Sequence, residues 1–334
     1  MDPATLSVVV VTHEHAPALH ALVRGLALRD GDELIVVDNA STDGSAEEAR
    51  RLGAQVMANP DNRGFAAGCN QGAAAARGEL LLLLNPDSVP QPDFRDAIER
   101  PWVAERGWAA WMGLVVAGDV VNTSGGVVHF TGLAWAGEAG EPAAGASAAA
   151  PREVGFVSGA CLAIPRATWE ALGGFPEEFF MYHEDVDLSL RLRLRGERIG
   201  VEPTARVDHD YSFAKGALKW RMLERNRWAT VLRCWPAALL VLLAPALAAT
   251  EVAIWVAALA GGWAGAKAGA SVDVLRALPR LLRERRAIQL ERRISPAEFA
   301  DGLEADLSSP YLGRASVVSP ALRAYWRVVR SLLR

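Results

Sequence analysis

"LLLLLNPDS", Leu80–Ser88, decides the reading of this chain. Five consecutive leucines have the length of a strand buried on both faces, the mark of a sheet covered by helices on either side. Asn85-Pro86-Asp87-Ser88 then breaks the run where a strand ends. A carboxylate, Asp87, is thereby set at the mouth of a sheet.

The same alternation repeats on either side. Leu6–Thr12 is a β-rich run closed by Thr12-His13-Glu14, and Ala16–Leu28 has helical spacing. Glu33–Val37 is a second strand closed by Asp38-Asn39. Ser45-Ala-Glu-Glu48 has the form of a capping box opening a helix through Leu52. Ala54–Ala58 is a third strand, followed by Asn59–Arg63 and by a Gly/Ala-rich helix over Phe65–Ala76. The pattern predicts an α/β fold with a mostly parallel sheet flanked by helices. Ligands of open α/β sheets bind along the carboxyl ends of the strands, so these polar clusters share one ligand rim.

Further on, Asp119–Gly140 reads as irregular strands and loops, and Pro142–Ala150 as a low-complexity surface loop. Val154–Ile164 returns to strand, Arg166–Leu172 is a short helix, and Val186–Arg195 is a helix with one basic face.

At 334 residues the chain holds one large domain with an appendage, or two ordinary domains. Cys69, Cys161 and Cys234 are odd in number and widely spaced, which suits reduced core thiols in the cytosol. The start, MDPATLSVVVVTHEH, lacks the features of a signal peptide, so the catalytic part is expected on the cytoplasmic side.

The net charge of −4 hides a split. From Lys267 onward there are 13 Lys/Arg against 7 Asp/Glu, leaving 22 against 32 in the rest. A basic tail on an acidic body implies an anionic partner, and the apolar stretch ahead of it favours membrane lipid over nucleic acid. In that stretch, Trp235–Ala266, the one charge is Glu251. Pro245 and Glu251 divide it into pieces of about 15 residues, short of the ~20 that span a bilayer. Basic residues flank both ends, so a re-entrant or interfacial hairpin with both ends cytoplasmic is expected. A buried hairpin in a soluble protein is the alternative.

Four constellations carry chemistry. Asp38 and Asn39, ahead of a helix amino terminus, suit a base or ribose, or form a turn and cap. Asn62, Gly64 and Asn70 belong to a segment whose glycines recur every four residues. They line a ligand or pack a helix tightly on the sheet. Asp87 suits a hard divalent cation, which takes oxygen ligands and often one or two carboxylates beside phosphates. Glu184-Asp185-Val-Asp187 follows a run of aromatics at a helix start, where carboxylates cap a helix or are tuned towards base chemistry. His209 follows at the end of a later strand, as a metal ligand or a structural histidine.

The ordered blocks VVVVTHEH, IVVDNASTDGS, NPDNRGFAAGCNQG, LLLLNPDS, the segment from Val157 through EDVDLSLRLRLRG, and VDHDYSF resemble family 2 glycosyltransferases. The likeness is to the bacterial rhamnosyltransferase-like branch and covers about residues 5–215. It implies a GT-A fold over 1–215, with a helical region over 216–334 that contains the apolar hairpin 235–266 and a basic amphipathic tail. It further implies a nucleotide-diphosphate sugar donor, dTDP-rhamnose favoured, Mg2+ or Mn2+, and inversion at the anomeric carbon. By position, Thr12, His13 and Asp38 would meet base and ribose, with Asn39, Asn62, Gly64 and Asn70 completing the donor side. Asp87 would hold the metal with His209. Asp185 would be the catalytic base, with Glu184 and Asp187 on the acceptor side.

Two departures stand out. Thr12-His13-Glu14 replaces the common Thr-Tyr-Asn, and Asn85 replaces the first carboxylate of Asp-x-Asp. A lipid-linked glycan acceptor at the cytoplasmic face of the membrane would explain the apolar segment; a homo-oligomer stays open. The competing readings are a nucleotidyltransferase, which has no use for Glu184-Asp185, and a membrane-docked scaffold. A dehydrogenase is disfavoured because the first strand–helix turn, Thr12–Leu19, contains no glycine.

Overall fold

The computed structural model describes residues 4–209, 216–309 and 316–334. Its elements run β1 (Leu6–Thr12), α1 (Ala16–Leu26), β2 (Glu33–Asn39), α2 (Ser45–Arg51), β3 (Gln55–Asn59), α3 (Gly64–Ala75), β4 (Leu80–Leu84), β5 (Val89–Pro90), α4 (Phe94–Val103), β6 (Trp108–Ala117), β7 (Val120–Thr123), β8 (Gly126–Val128) and β9 (Ala134–Ala136). There follow α5 (Ala143–Ser147), β10 (Arg152–Glu153), β11 (Cys161–Pro165), α6 (Arg166–Leu172), α7 (Glu184–Leu194), β12 (Arg198–Asp208), α8 (Ala217–Cys234), α9 (Ala237–Ala260), α10 (Ala264–Leu290), α11 (Pro296–Asp301) and α12 (Ser319–Leu333). The described residues fall into two compact units. One holds 4–126, 136–189 and 197–209; the other holds 127–135, 190–196 and the residues from 216 onward.

The first unit is built on the leucine run. β4 is fully buried and pairs in parallel with β1, which pairs in parallel with β2, and β2 with β3. The main sheet runs β10-β12-β6-β11-β4-β1-β2-β3, with β5 and β7 joined at its side. Along that path only β10 and β11 are reversed, so the sheet is mixed but mostly parallel. Thr12, Asn39, Asn59 and Leu84 close β1 to β4, so the polar clusters do share the carboxyl edge.

α3 lies close on the sheet because its glycines leave room. A Cβ on Gly68 would come within 2.7 Å of Val11, and one on Gly72 within 2.3 Å of Val9. For these two glycines, tight packing is the answer.

Some local expectations fail. Ser45 does not form a capping box: α2 is entered through a left-handed Gly44, and the Ser45 hydroxyl bonds the Asp43 carboxylate instead. The Ala-rich 142–150 segment folds a short helix, α5, and Val154–Ile164 is strand only from Cys161.

The larger difference is in the second unit. The apolar segment is not a hairpin but one continuous helix, α9, of 24 residues. Pro245 lies inside it, on the exposed side, where a missing amide proton leaves no buried carbonyl stranded. Glu251 does not interrupt it either, because its carboxylate is compensated. Glu251 pairs with Arg227 of α8 at 3.0 Å and with Lys267 of α10 at 2.7 Å, and Trp228 donates its indole N–H at 2.9 Å. Arg227 and Lys267 also reach Glu224, at 2.9 and 2.7 Å. Two acids and two bases thus close a neutral set, of which Glu224, Arg227 and Lys267 are buried and Glu251 is partly exposed. Removing one member of such a set costs about 3–5 kcal/mol, since a buried charge is left alone.

The same unit buries His129. Its Nδ1 accepts from the Thr131 amide at 3.2 Å, so Nε2 carries the proton and faces the Ala305 carbonyl, 3.2 Å away. Burial pushes its pKa down from 6.5 to about 4. The neutral ring is the folded form, so its stabilisation is complete above pH 6.5 and is lost as pH falls towards 4. Across that window the unfolded chain takes up the proton first, which weakens the fold by up to about 3 kcal/mol. Denaturant unfolding between pH 7 and pH 4 checks this, and His129→Gln is expected to flatten the slope with pH.

Candidate active site

One end of the rim is set by register. Thr12 and Asp38 stand opposite each other across β1 and β2 and are 1 % and 3 % exposed. Asp38 Oδ2 accepts from the Ser41 amide at 3.2 Å. Asp38 Oδ1 and Thr12 Oγ1 have no hydrogen-bond partner among the described residues. A buried polar atom without a partner is costly, so two side by side at a strand edge suit a polar ligand.

The neighbouring loop is rigid. His13 Nδ1 lies 2.9 Å from the Asn39 carbonyl. Glu14, in the left-handed region, turns away and accepts from the Thr42 amide at 2.7 Å. Asp43 accepts from the Ala16 amide at 2.9 Å, which laces the 13–16 loop to the start of α2.

The asparagines shape the rim, and their amides are engaged with protein. Asn39 donates to the Gly64 carbonyl at 3.0 Å and accepts from Asn59 at 2.9 Å. Asn62 accepts from the Gly64 amide at 2.9 Å. Asn70 pairs with Phe175 as a strand would, donating to its carbonyl and accepting from its amide, each at 2.9 Å. Asn39 and Asn70 thus each spend an N–H and a carbonyl oxygen on bracing the rim.

At the other end of the rim, β12 pairs antiparallel with β5, Asp208 facing Val89. That pairing carries His209 back to the turn after β4. His209 Nε2 lies 3.0 Å from Asp87 Oδ1 and 3.5 Å from the Asn85 amide. Burial raises the Asp87 pKa, but the His209 hydrogen bond and charge outweigh it and hold the carboxyl below its usual value. His15, at the entry to α1, adds a smaller pull of the same sign. Nothing in the sequence pattern had singled out His15. Among the described residues no group of three or more His, Cys, Asp or Glu side chains is arranged to hold a metal alone. One carboxylate and one imidazole on an open rim fit a cation shared with phosphate oxygens, not a closed protein cage.

α7 supplies the third part. Asp185 Oδ2 accepts from the Gly159 amide at 3.0 Å and Oδ1 from the Val186 amide at 2.8 Å. Burial raises its pKa, and these N–H groups oppose the rise. Glu184 is 5 % exposed, and its Oε2 has no partner among the described residues. Burial pushes its pKa well up and the Asp185 charge adds to that. Both carboxyls are raised, Glu184 further, and only Asp185 has the Gly159 and Val186 amides to hold its charge. Glu184 and Asp187 are both buried, Asp187 completely.

The approach to α7 is strained. Phe180, Tyr182 and His183 hold φ values of 64°, 70° and 67°. Each such residue costs on the order of 1–3 kcal/mol and persists only where packing imposes it. The Phe180 carbonyl accepts from the Ala66 amide at 3.1 Å, and the Phe180 ring lies where a Cβ on Gly64 would come within 2.5 Å. The other blocks from the sequence are present in place, except that Asp210–Phe213 lie outside the described residues.

Comparison with known proteins now decides the family: residues 7–122 match Glycosyl transferase family 2. That stretch is a family 2 glycosyltransferase domain. It is 28 % identical over 242 residues to the N-acetylglucosaminyl-diphospho-decaprenol L-rhamnosyltransferase of Mycobacterium tuberculosis, across 63 % of this chain and 78 % of that protein. Among solved structures it is similar to GalNAc-T7 with UDP, GalNAc and Mn2+, at TM-score 0.58 and 18 % identity, covering 71 % of this chain and 49 % of that one. It is also similar to the mannosyltransferase PcManGT of Pyrobaculum calidifontis with GDP-Man and Mn2+, at TM-score 0.52 and 19 % identity, covering 86 % of each. The fold of the glycosyltransferase is GT-A.

Glu184 generates a test. If it is neutral in the enzyme, Glu184→Gln leaves the acid limb of the pH–activity profile in place. An ionised Glu184 would give the opposite result, because deleting its charge would lower the Asp185 pKa and move that limb to lower pH.

Proposed function

We propose that this glycosyltransferase moves rhamnose from dTDP-rhamnose onto a lipid-linked glycan at the cytoplasmic face of the cell membrane, with Mg2+ or Mn2+ and with inversion. The observation that supports it most directly is the Asp87–His209 pair, 3.0 Å apart on the sheet rim. Asp185 is tied to the same edge: the Ala160 carbonyl accepts from the Asn85 amide at 3.1 Å, and the adjacent Gly159 amide donates to Asp185.

In this reading Thr12 and Asp38 hold the nucleoside, whose hydrogen-bonding groups take up the two buried oxygens that lack protein partners. Asp87 and His209 would hold the cation beside the diphosphate. When bound, it stabilises the negative charge gathering on the leaving group. Asp185 accepts the proton of the acceptor hydroxyl. That oxygen forms its bond to the anomeric carbon as the bond from carbon to diphosphate oxygen breaks, and a single displacement inverts the centre. The mycobacterial relative is named for an acceptor carried on decaprenyl diphosphate, which supports a lipid-linked acceptor here.

Asp87→Ala is expected to abolish metal-dependent donor binding in calorimetry without loss of fold, since the side chain is 38 % exposed. Asp185→Asn is expected to bind donor normally and to lose turnover by about 10²–10⁴-fold. Unchanged donor affinity in the first variant, or full turnover in the second, would overturn the assignment. Thermal shift with dTDP-, UDP- and GDP-sugars, with and without Mn2+, identifies the donor: the largest shift is expected for dTDP-rhamnose.

A further inference from the structure

α9 shows its apolar side outward. Every exposed position along it is Ala, Val, Leu or Pro, recurring at helical spacing from Ala237 through Val241, Ala248 and Val252 to Ala260. Val241, Val252, Val256 and Leu259 are 74 %, 64 %, 59 % and 67 % exposed. The opposite side packs Leu239, Leu243, Leu247 and Ala258 into the unit and carries Glu251 to Arg227 and Lys267. At about 1.5 Å per residue this is a face some 36 Å long. An apolar face of that size on a polar unit marks an interaction surface.

The exposed side of α10 has a different composition. Val272, Leu275, Leu282 and Leu290 alternate there with Arg276, Arg283 and Arg286. Leucines interleaved with arginines suit the boundary between acyl chains and anionic headgroups. A second copy of the chain fits less well: two such stripes brought together set arginine against arginine.

The ion pairs decide how lipid is met. Glu251 ties α9 to α8 and α10 midway along its length, and α8 carries Arg221, Glu224, Arg225 and Arg227. For α9 to cross a bilayer, these charges would have to enter hydrocarbon with it. We infer that α9 and α10 form a monotopic docking face for an anionic leaflet, with α9 lying in the membrane plane and not across it. This deepens the membrane-associated reading of the function and rests on it.

Depth measurement on the full-length protein tests the inference. The three native cysteines are buried, so V241C, V252C and L259C each take a fluorophore at one outward position. The labelled proteins are added to phosphatidylcholine vesicles with and without phosphatidylglycerol. All three labels are expected to be quenched alike by a nitroxide placed shallow in the lipid. Quenching of V252C by a deep nitroxide, with one end shielded from an aqueous quencher, would mean a span and overturn the inference. No response to vesicles, with a dimer on size exclusion, would assign the face to a second copy and also overturn it. Combined R276E/R283E/R286E is expected to weaken binding to phosphatidylglycerol vesicles by at least about tenfold in low salt; unchanged binding would remove the charge argument. Donor hydrolysis in solution is measured on the same preparations. Active enzyme that ignores vesicles overturns the docking face and leaves the activity standing; vesicle binding by inactive enzyme does the reverse.

Discussion

One hydrogen bond, from the Ala66 amide to the Phe180 carbonyl, joins the rim of the sheet to the helix that carries Asp185. It forms because Gly64 leaves space for the Phe180 ring and because three left-handed residues bend the chain over α3. The backbone strain of that bend is borne by packing on both sides. Asn70 fixes the preceding loop through Phe175, and the Gly159 amide fixes the following helix through Asp185. The sheet rim and the start of α7 are therefore one braced assembly, and a side chain at position 64 would loosen both.

Much of this was legible in the sequence, for a reason that differs from part to part. The leucine run and the polar breaks after each strand gave the sheet and its ligand edge, because burial on both faces leaves no other use for such runs. Asp87, Asp185 and His209 stood out as candidates because the family resemblance sets each in a motif, and the fold brings Asp87 and His209 to within 3.0 Å. The roles of Asn39 and Asn70 were not legible, since an amide beside a ligand and an amide bracing a loop look alike until the loop is placed. Nor was the burial of Glu184 and Asp187, because the helix period does not say which side faces the core when acids precede Leu and Arg in alternation.

α9 shows the same limit more sharply. Pro245 and Glu251 read as breaks when taken locally. Both are tolerated for reasons held elsewhere: the proline faces outward, and the glutamate is met by Arg227 and Lys267 from helices 24 and 16 residues away in either direction. Compensation across elements is invisible to a reading that moves along the chain.

The reversed strand β11 has a consequence for what can be engineered. Cys161 stands opposite Leu84, so the turn bearing Asp87 and the Gly159 amide that holds Asp185 leave the sheet side by side. The spacing between the Asp87 turn and Asp185 is then a sheet dimension, a ruler made of two neighbouring strands. The loop around His13 and Glu14, after β1, lies off that ruler, so changes there leave the separation intact.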